Sequence, residues 1–87
     1  MDTFSLNTLS VGHSAQVAQV CAAAAMRRRL MDIGLIPGAQ VTCVAKSPSG
    51  DPAAYLICGA VIALRNADAA EIQVQPSPAA ELQPALA

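Results

Sequence analysis

Arg29-Leu30-Met31-Asp32-Ile33-Gly34-Leu35-Ile36-Pro37-Gly38-Ala39-Gln40-Val41 holds a helix end, a tight turn and a strand start in succession. Gly34 stands where a helix stops on a left-handed residue, and that stop would carry Leu35 back over Leu30. Ile36-Pro37-Gly38-Ala39 has the chemistry of a type II turn: proline fixes φ at the second position and glycine supplies a positive φ at the third. Beyond it, Val41, Cys43 and Ala45 alternate with Thr42, Val44 and Lys46, which predicts a strand with one face to bury.

Upstream, Ala22 to Ile33 consists of strong helix formers with no Gly, Pro or β-branched residue before Ile33. The helical repeat puts Ala23, Met26, Leu30 and Ile33 on one stripe. Arg28 and Asp32, four apart, are expected to pair on the opposite face. Before the helix, Leu6, Leu9 and Val11 lead to the turn-like Gly12-His13-Ser14 and the apolar stretch Ala15 to Cys21. Val17 and Val20 are three apart rather than two, which predicts a bulged strand or one that ends early.

Downstream, Ser47-Pro48-Ser49-Gly50-Asp51-Pro52 is all turn chemistry, and residues 53–59 read as the returning strand, with Tyr55 and Ile57 on one side. Gly59-Ala60 marks a bend. Val61 to Leu64 suits a strand, Arg65 to Ala70 a single helical turn capped by Asn66, and Ile72 to Gln75 a last strand. The prediction is a mainly β fold: a small five-stranded barrel with one added α-helix over about residues 22–33. Residues 1–75 form the domain, and 76–87, with three of the six prolines, form a tail expected to be disordered.

The 87 residues suffice for one small domain and exclude the large α/β enzyme folds. Although 54% of positions are apolar, 19 are alanine and only Phe4 and Tyr55 are aromatic. The core therefore rests on Val, Ile and Leu. A net charge of −1 gives no general attraction to nucleic acid or anionic lipid. The longest apolar run, Val20 to Met26, is far short of the roughly 20 residues a span needs. Cys21, Cys43 and Cys58 are odd in number and contain no Cys-x-x-Cys pair, so reduced thiols in a cytoplasmic protein are expected.

No catalytic constellation stands out, and no enzyme activity is expected. The one histidine, His13, lies beside Ser14 in a turn, and adjacency in sequence does not give imidazole the geometry to activate a hydroxyl. His13 with the three cysteines would make a Cys₃His set, but their spacing gives no support, so neither a metal site nor a cofactor is expected. Weak binding at His13 or Cys58 is the remaining metal reading. No Gly-rich phosphate cradle precedes a helix. Arg27-Arg28-Arg29 is the one dense charge, readable as a solvated helix face or as a docking patch for acidic groups. Leu35, Ile36 and Pro37 offer apolar groups for the cap, for turn packing or for a contact surface.

Taken in order, Leu6-x-x-Leu9-x-x-Gly12, Val17, Arg29-Leu30-x-Asp32-x-Gly34-Leu35-x-Pro37-Gly38-x-x-Val41, Gly50-Asp51-Pro52, Gly59-x-x-x-Ala63-Leu64-Arg65 and Ala69-x-x-Ile72-x-Val74 resemble the FeoA family. That family is the small cytoplasmic partner of the bacterial ferrous iron transporter, whose membrane subunit FeoB carries a GTPase domain. The resemblance covers about residues 4–75 and implies an SH3-like barrel without catalysis, promoting or regulating Fe²⁺ uptake by contact with the transporter. A related domain accompanies a DNA-binding domain in iron-dependent repressors; no such domain is present in these residues. On this reading Arg28, Arg29, Leu35, Ile36 and Pro37 are the docking residues, with the Gly50-Asp51-Pro52 loop a second candidate. Self-association is the other partner expectation. The alternatives are a generic small-barrel module recognising a peptide or another subunit, and a metal-sensing domain.

Overall fold

In a computed structural model, described over residues 3–77, the chain forms one antiparallel sheet with a helix set against it. The order along the chain is β1 (Phe4–Ser5), a 3₁₀ turn (Leu6–Thr8), β2 (Ser14–Val20), α1 (Ala24–Asp32), β3 (Gln40–Lys46), β4 (Ala53–Ile57), β5 (Ala60–Leu64), α2 (Asn66–Ala69) and β6 (Ile72–Pro76). In space the strands lie β1-β6-β2-β3-β4-β5. There are six strands rather than the expected five. The extra one, Phe4–Ser5, pairs with Val74 and Gln73 and is too short to show any alternation in sequence.

The sheet curls over a single core built from Leu6, Leu9, Val17, Leu30, Leu35, Val41, Tyr55, Ile57, Ile72 and Val74 with smaller side chains between them. Its two edges are tied through the short elements that follow them. Asn7 Nδ2, in the turn after β1, donates to Asn66 Oδ1, in the helix after β5, at 3.1 Å. Asn66 was expected to cap α2, yet it is the first helical residue, and Arg65 holds the cap position without a side-chain bond. The capping acceptor comes from afar: Asp51 Oδ1 takes the Asn66 N–H at 2.9 Å.

Both irregular strands have one cause. The ladder between β2 and β6 shifts between Val17 and Gln19, so Val17 and Val20 both face the core, as their spacing of three requires. A second shift lies between Cys43 and Ala45. It turns Ala45 outward, against the expectation of strict alternation, and leaves only Val41 and Cys43 of β3 buried. α1 is shorter than the expected 22–33, and Ala23 at its cap is exposed, while Met26, Leu30 and Ile33 meet the core. At the other boundary, β6 runs through Pro76 and Ser77 is buried, so the ordered chain passes the expected limit at 75. The rest of the tail, 78–87, lies outside the described residues.

Tyr55 is buried at 1% exposure, and burial, with a smaller contribution from Cys43, holds its phenol above the usual 10.0. Below pH 10 both states are neutral and the group adds no pH dependence. Above it the unfolded chain ionises first and binds fewer protons, so stability falls with pH until the folded phenol also ionises. Tyr55 is the sole tyrosine and there is no tryptophan, so phenolate absorbance reads it alone. The native midpoint is expected above the midpoint in denaturant, and Tyr55→Phe should remove this part of the alkaline loss. Equal midpoints would refute the burial argument.

Candidate functional site

The helix end at Gly34 is also where the candidate docking residues gather. The Leu35 N–H donates to Leu30 O at 3.1 Å and the Gly34 N–H to Met31 O at 3.0 Å. These are the two bonds of a Schellman motif, and Gly34 takes the left-handed φ of +107° that the motif needs. The motif drives Leu35 into the core at 0% exposure. This corrects the expectation of Leu35 as a surface anchor, because a side chain spent on the cap contact cannot also meet a partner.

Ile36 and Pro37 do stay outside, Ile36 at 45% exposure. They sit on a firm base. The Ala39 N–H closes the turn to Ile36 O at 3.0 Å, the Gly38 N–H donates to Val17 O at 2.8 Å, and Gln16 Nε2 donates to Gly38 O at 3.2 Å. Little conformational freedom would therefore be lost on binding.

Arg27, Arg28 and Arg29 are all exposed on α1, and Arg29 lies in its last turn, where the helix dipole favours cations. Arg28 and Asp32 do not pair: among the described residues no ion pair forms within 4.0 Å. Exposed partners gain only a few tenths of a kcal/mol from pairing, too little to fix two mobile side chains. A shallow groove of about 530 Å³ runs along the outward face of α1 beside Ala24, Ala25, Arg27, Arg28, Met31 and Asp32. Arg29 lies on the next face. Arg27 belongs to the dense charge that the sequence shows, whereas Met31 was missed, although the spacing 24, 27, 28, 31 marks one face of a helix.

The second candidate loop is already occupied. Besides holding the α2 amide through Asp51, it is closed by the Gly50 N–H to Ser47 O at 2.7 Å and the Ser47 N–H to Pro52 O at 3.1 Å. It also lies at the opposite end of β4 from Cys58, which packs against Gly34. At about 3.4 Å per residue, that strand keeps the loop well away from the Gly34 end of the helix. The structure thus joins Ile36 and Pro37 to the end of α1 and leaves Gly50, Asp51 and Pro52 apart.

His13 and Cys58 are exposed on separate turns. The His13 backbone is held by Ser10 and Cys43, while Cys58 Sγ lies 3.8 Å from Gly34 O. Among the described residues no cluster of three or more His, Cys, Asp or Glu side chains could hold a metal ion. None of the described helices is long and apolar enough to cross a membrane.

A curled six-stranded sheet with one flanking helix, presenting a rigid apolar turn beside exposed cations, is a small SH3-like β module. The FeoA domain family model matches residues 4–76, and the chain belongs to the FeoA family. It is similar to the Fe(2+) transport protein A/Fe(2+) transporter FeoB fusion protein of Porphyromonas gingivalis, with 33% identity over 70 residues. That match takes in 80% of this chain, which spans only 8% of that relative's length. Among solved structures, Chlorobium tepidum FeoA is 37% identical with a TM-score of 0.79, covering 84% of this chain and 70% of that one. Stenotrophomonas maltophilia FeoA, complexed with zinc and described as an SH3 domain protein, is 32% identical with a TM-score of 0.74, covering 88% and 93%.

Proposed function

We propose that this protein is a non-enzymatic accessory of bacterial ferrous iron uptake that docks on the cytoplasmic part of a FeoB-type transporter and regulates transport. The observation that carries the reading is the fusion relative, in which a similar segment and a FeoB transporter share one polypeptide. Fusion holds two modules at high effective concentration, an arrangement useful to a contact too weak to persist between separate chains. Arg28 and Arg29 would supply charge-assisted contacts to acidic groups, and Ile36 with Pro37 the apolar anchor. Gly50, Asp51 and Pro52 are a lesser candidate surface, since Asp51 already serves α2. Such a protein would work in the cytoplasm, at the inner membrane surface through its partner.

The test is capture of the transporter's cytoplasmic domains by immobilised protein, together with Fe²⁺ uptake by cells lacking the gene. Specific capture and reduced uptake are expected. Absence of capture with unchanged uptake would refute the reading.

A further inference from the structure

The sheet has one unguarded edge. β1, at one end, is two residues long, but β5, at the other, presents Ala60–Leu64 with no charge and no proline. Edge strands are ordinarily protected by charge, proline or a bulge. β5 has none of these and pairs with β4 without any register shift.

The hairpin fixes which groups the edge offers. Cys58 and Gly59 form its two-residue turn, both at positive φ of 49° and 82°, as a primed hairpin turn requires. Ile57 and Ala60 flank that turn and are therefore a hydrogen-bonded pair, and bonded and non-bonded pairs alternate from there. Ala60, Ile62 and Leu64 thus turn their N–H and C=O toward β4. Val61 and Ala63 turn theirs away from the sheet. Among the described residues, no turn, loop or cap hydrogen bond reaches either of them. Val61 is also 63% exposed, and Leu56, opposite it on β4, is 39% exposed. The outward rows Thr42, Leu56, Val61 and Ala45, Ala54, Ala63 contain no charged residue.

We propose that β5 is a self-complementary edge through which two copies of this chain pair antiparallel about a twofold axis at Ile62. Two conditions fix the register: the core faces of both sheets must stay on one side, and the outward-turned backbone groups must meet each other. Setting Val61 against the partner's Ala63, and Ile62 against the partner's Ile62, satisfies both. Every N–H and C=O of Val61 and Ala63 then finds a mate across the axis.

A second copy is the occupant that the charge pattern favours. A twofold edge brings like segments together, so any charge within it would face repulsion, and this edge has none. Arg65, the nearest cation, falls opposite the partner's Gly59. The large Val61 meets a small alanine. A strand of five residues covers less than the roughly 1,200 Å² of stable complexes, so the dimer is weak and forms at high local concentration.

Sedimentation equilibrium under reducing conditions, from about 10 μM to about 1 mM, brackets a weak dissociation constant. The average mass is expected to rise with concentration from 8.8 kDa toward twice that value. Val61→Lys, on the outward face, should keep it at the monomer mass. The register is tested with Ile62→Cys in a Cys21→Ser, Cys58→Ser background, because a non-bonded antiparallel pair lies close enough for a disulfide. With diamide as oxidant, two thiols lose two hydrogens to diamide and join across the axis; Ala60→Cys, opposite the partner's Leu64, should not. A monomer at every concentration, self-association undiminished in Val61→Lys, or equal cross-linking at positions 60 and 62 would overturn the proposal.

Discussion

Gly34→Ala is expected to destabilise the protein by roughly 2–4 kcal/mol, combining the backbone cost of a left-handed L-residue with overpacking. At a φ of +107° an alanine is strained whatever space surrounds it, and here there is none. Its Cβ would stand 2.7 Å from Cys58 Sγ and 3.1 Å from Ile57 Cγ2. The thiol can rotate away, being exposed, but the Ile57 methyl belongs to a side chain at 0% exposure. A domain of this size has only about 5–15 kcal/mol in total, and each kcal/mol moves the melting temperature by about 4–8 °C. Thermal unfolding should therefore shift downward by roughly 10–30 °C on the same scale. Adding Cys58→Ala should recover only the part due to Sγ, since the Cβ approach at 3.3 Å and the backbone strain remain. A change in Tm of a degree or two would show that neither the strain nor the close approach is real.

The second large effect concerns binding. Reversing Arg28 and Arg29 to glutamate should weaken capture of the transporter's cytoplasmic domains by at least tenfold for each charge-assisted hydrogen bond removed, since each contributes about 1.5–3 kcal/mol. Ile36→Asp should act in the same direction by placing a charge in the apolar part of the interface. All three side chains are exposed, so the thermal transition should stay nearly unchanged while binding falls. Leu35→Ala gives the contrasting case: at 0% exposure it should cost about 2–5 kcal/mol of stability and affect binding only through unfolding. Raised salt should weaken the parent's binding and leave the double-glutamate variant's almost unmoved. Undiminished capture by the double-glutamate protein would exclude the arginine face as the docking surface.

Much of the fold is legible in local chemistry. Gly34 and Pro37-Gly38 announce their turns because each needs a backbone conformation that few residues supply. The spacing of Val17 and Val20 announces the bulge of β2, because two core residues three apart in a strand require one unpaired residue between them. Other features depend on distant partners and leave no local trace. The bulge at Val44 is seen only when β4 is laid beside β3, and Asp51 becomes the cap of α2 only when a loop fifteen residues away folds against it.

The candidate site divides in the same way. Charge makes Arg28 and Arg29 readable as surface residues, whereas Ile36 and Pro37 fit turn packing or a contact surface in sequence and only the structure shows them exposed. Leu35 was ambiguous, because a leucine after a helix-stopping glycine serves the cap and an exposed anchor equally well in sequence, and packing decides between them. Met31 is not legible as a groove residue, because an apolar side chain on an amphipathic helix reads as part of the buried stripe.

The position of β6 bears on how the protein is made. β6 is the last strand in the chain, yet it lies between β1 and β2. Phe4 and Ser5 pair only with Val74 and Gln73, so the opening segment has no strand partner until nearly all described residues have been synthesised. Leu6 and Leu9, both destined for the core, must wait unburied on the nascent chain during that interval. Pairings this distant in sequence make folding comparatively slow. The core is therefore completed only once β6 has been made, and a ribosome stalled before residue 72 would hold a chain with an unfinished core.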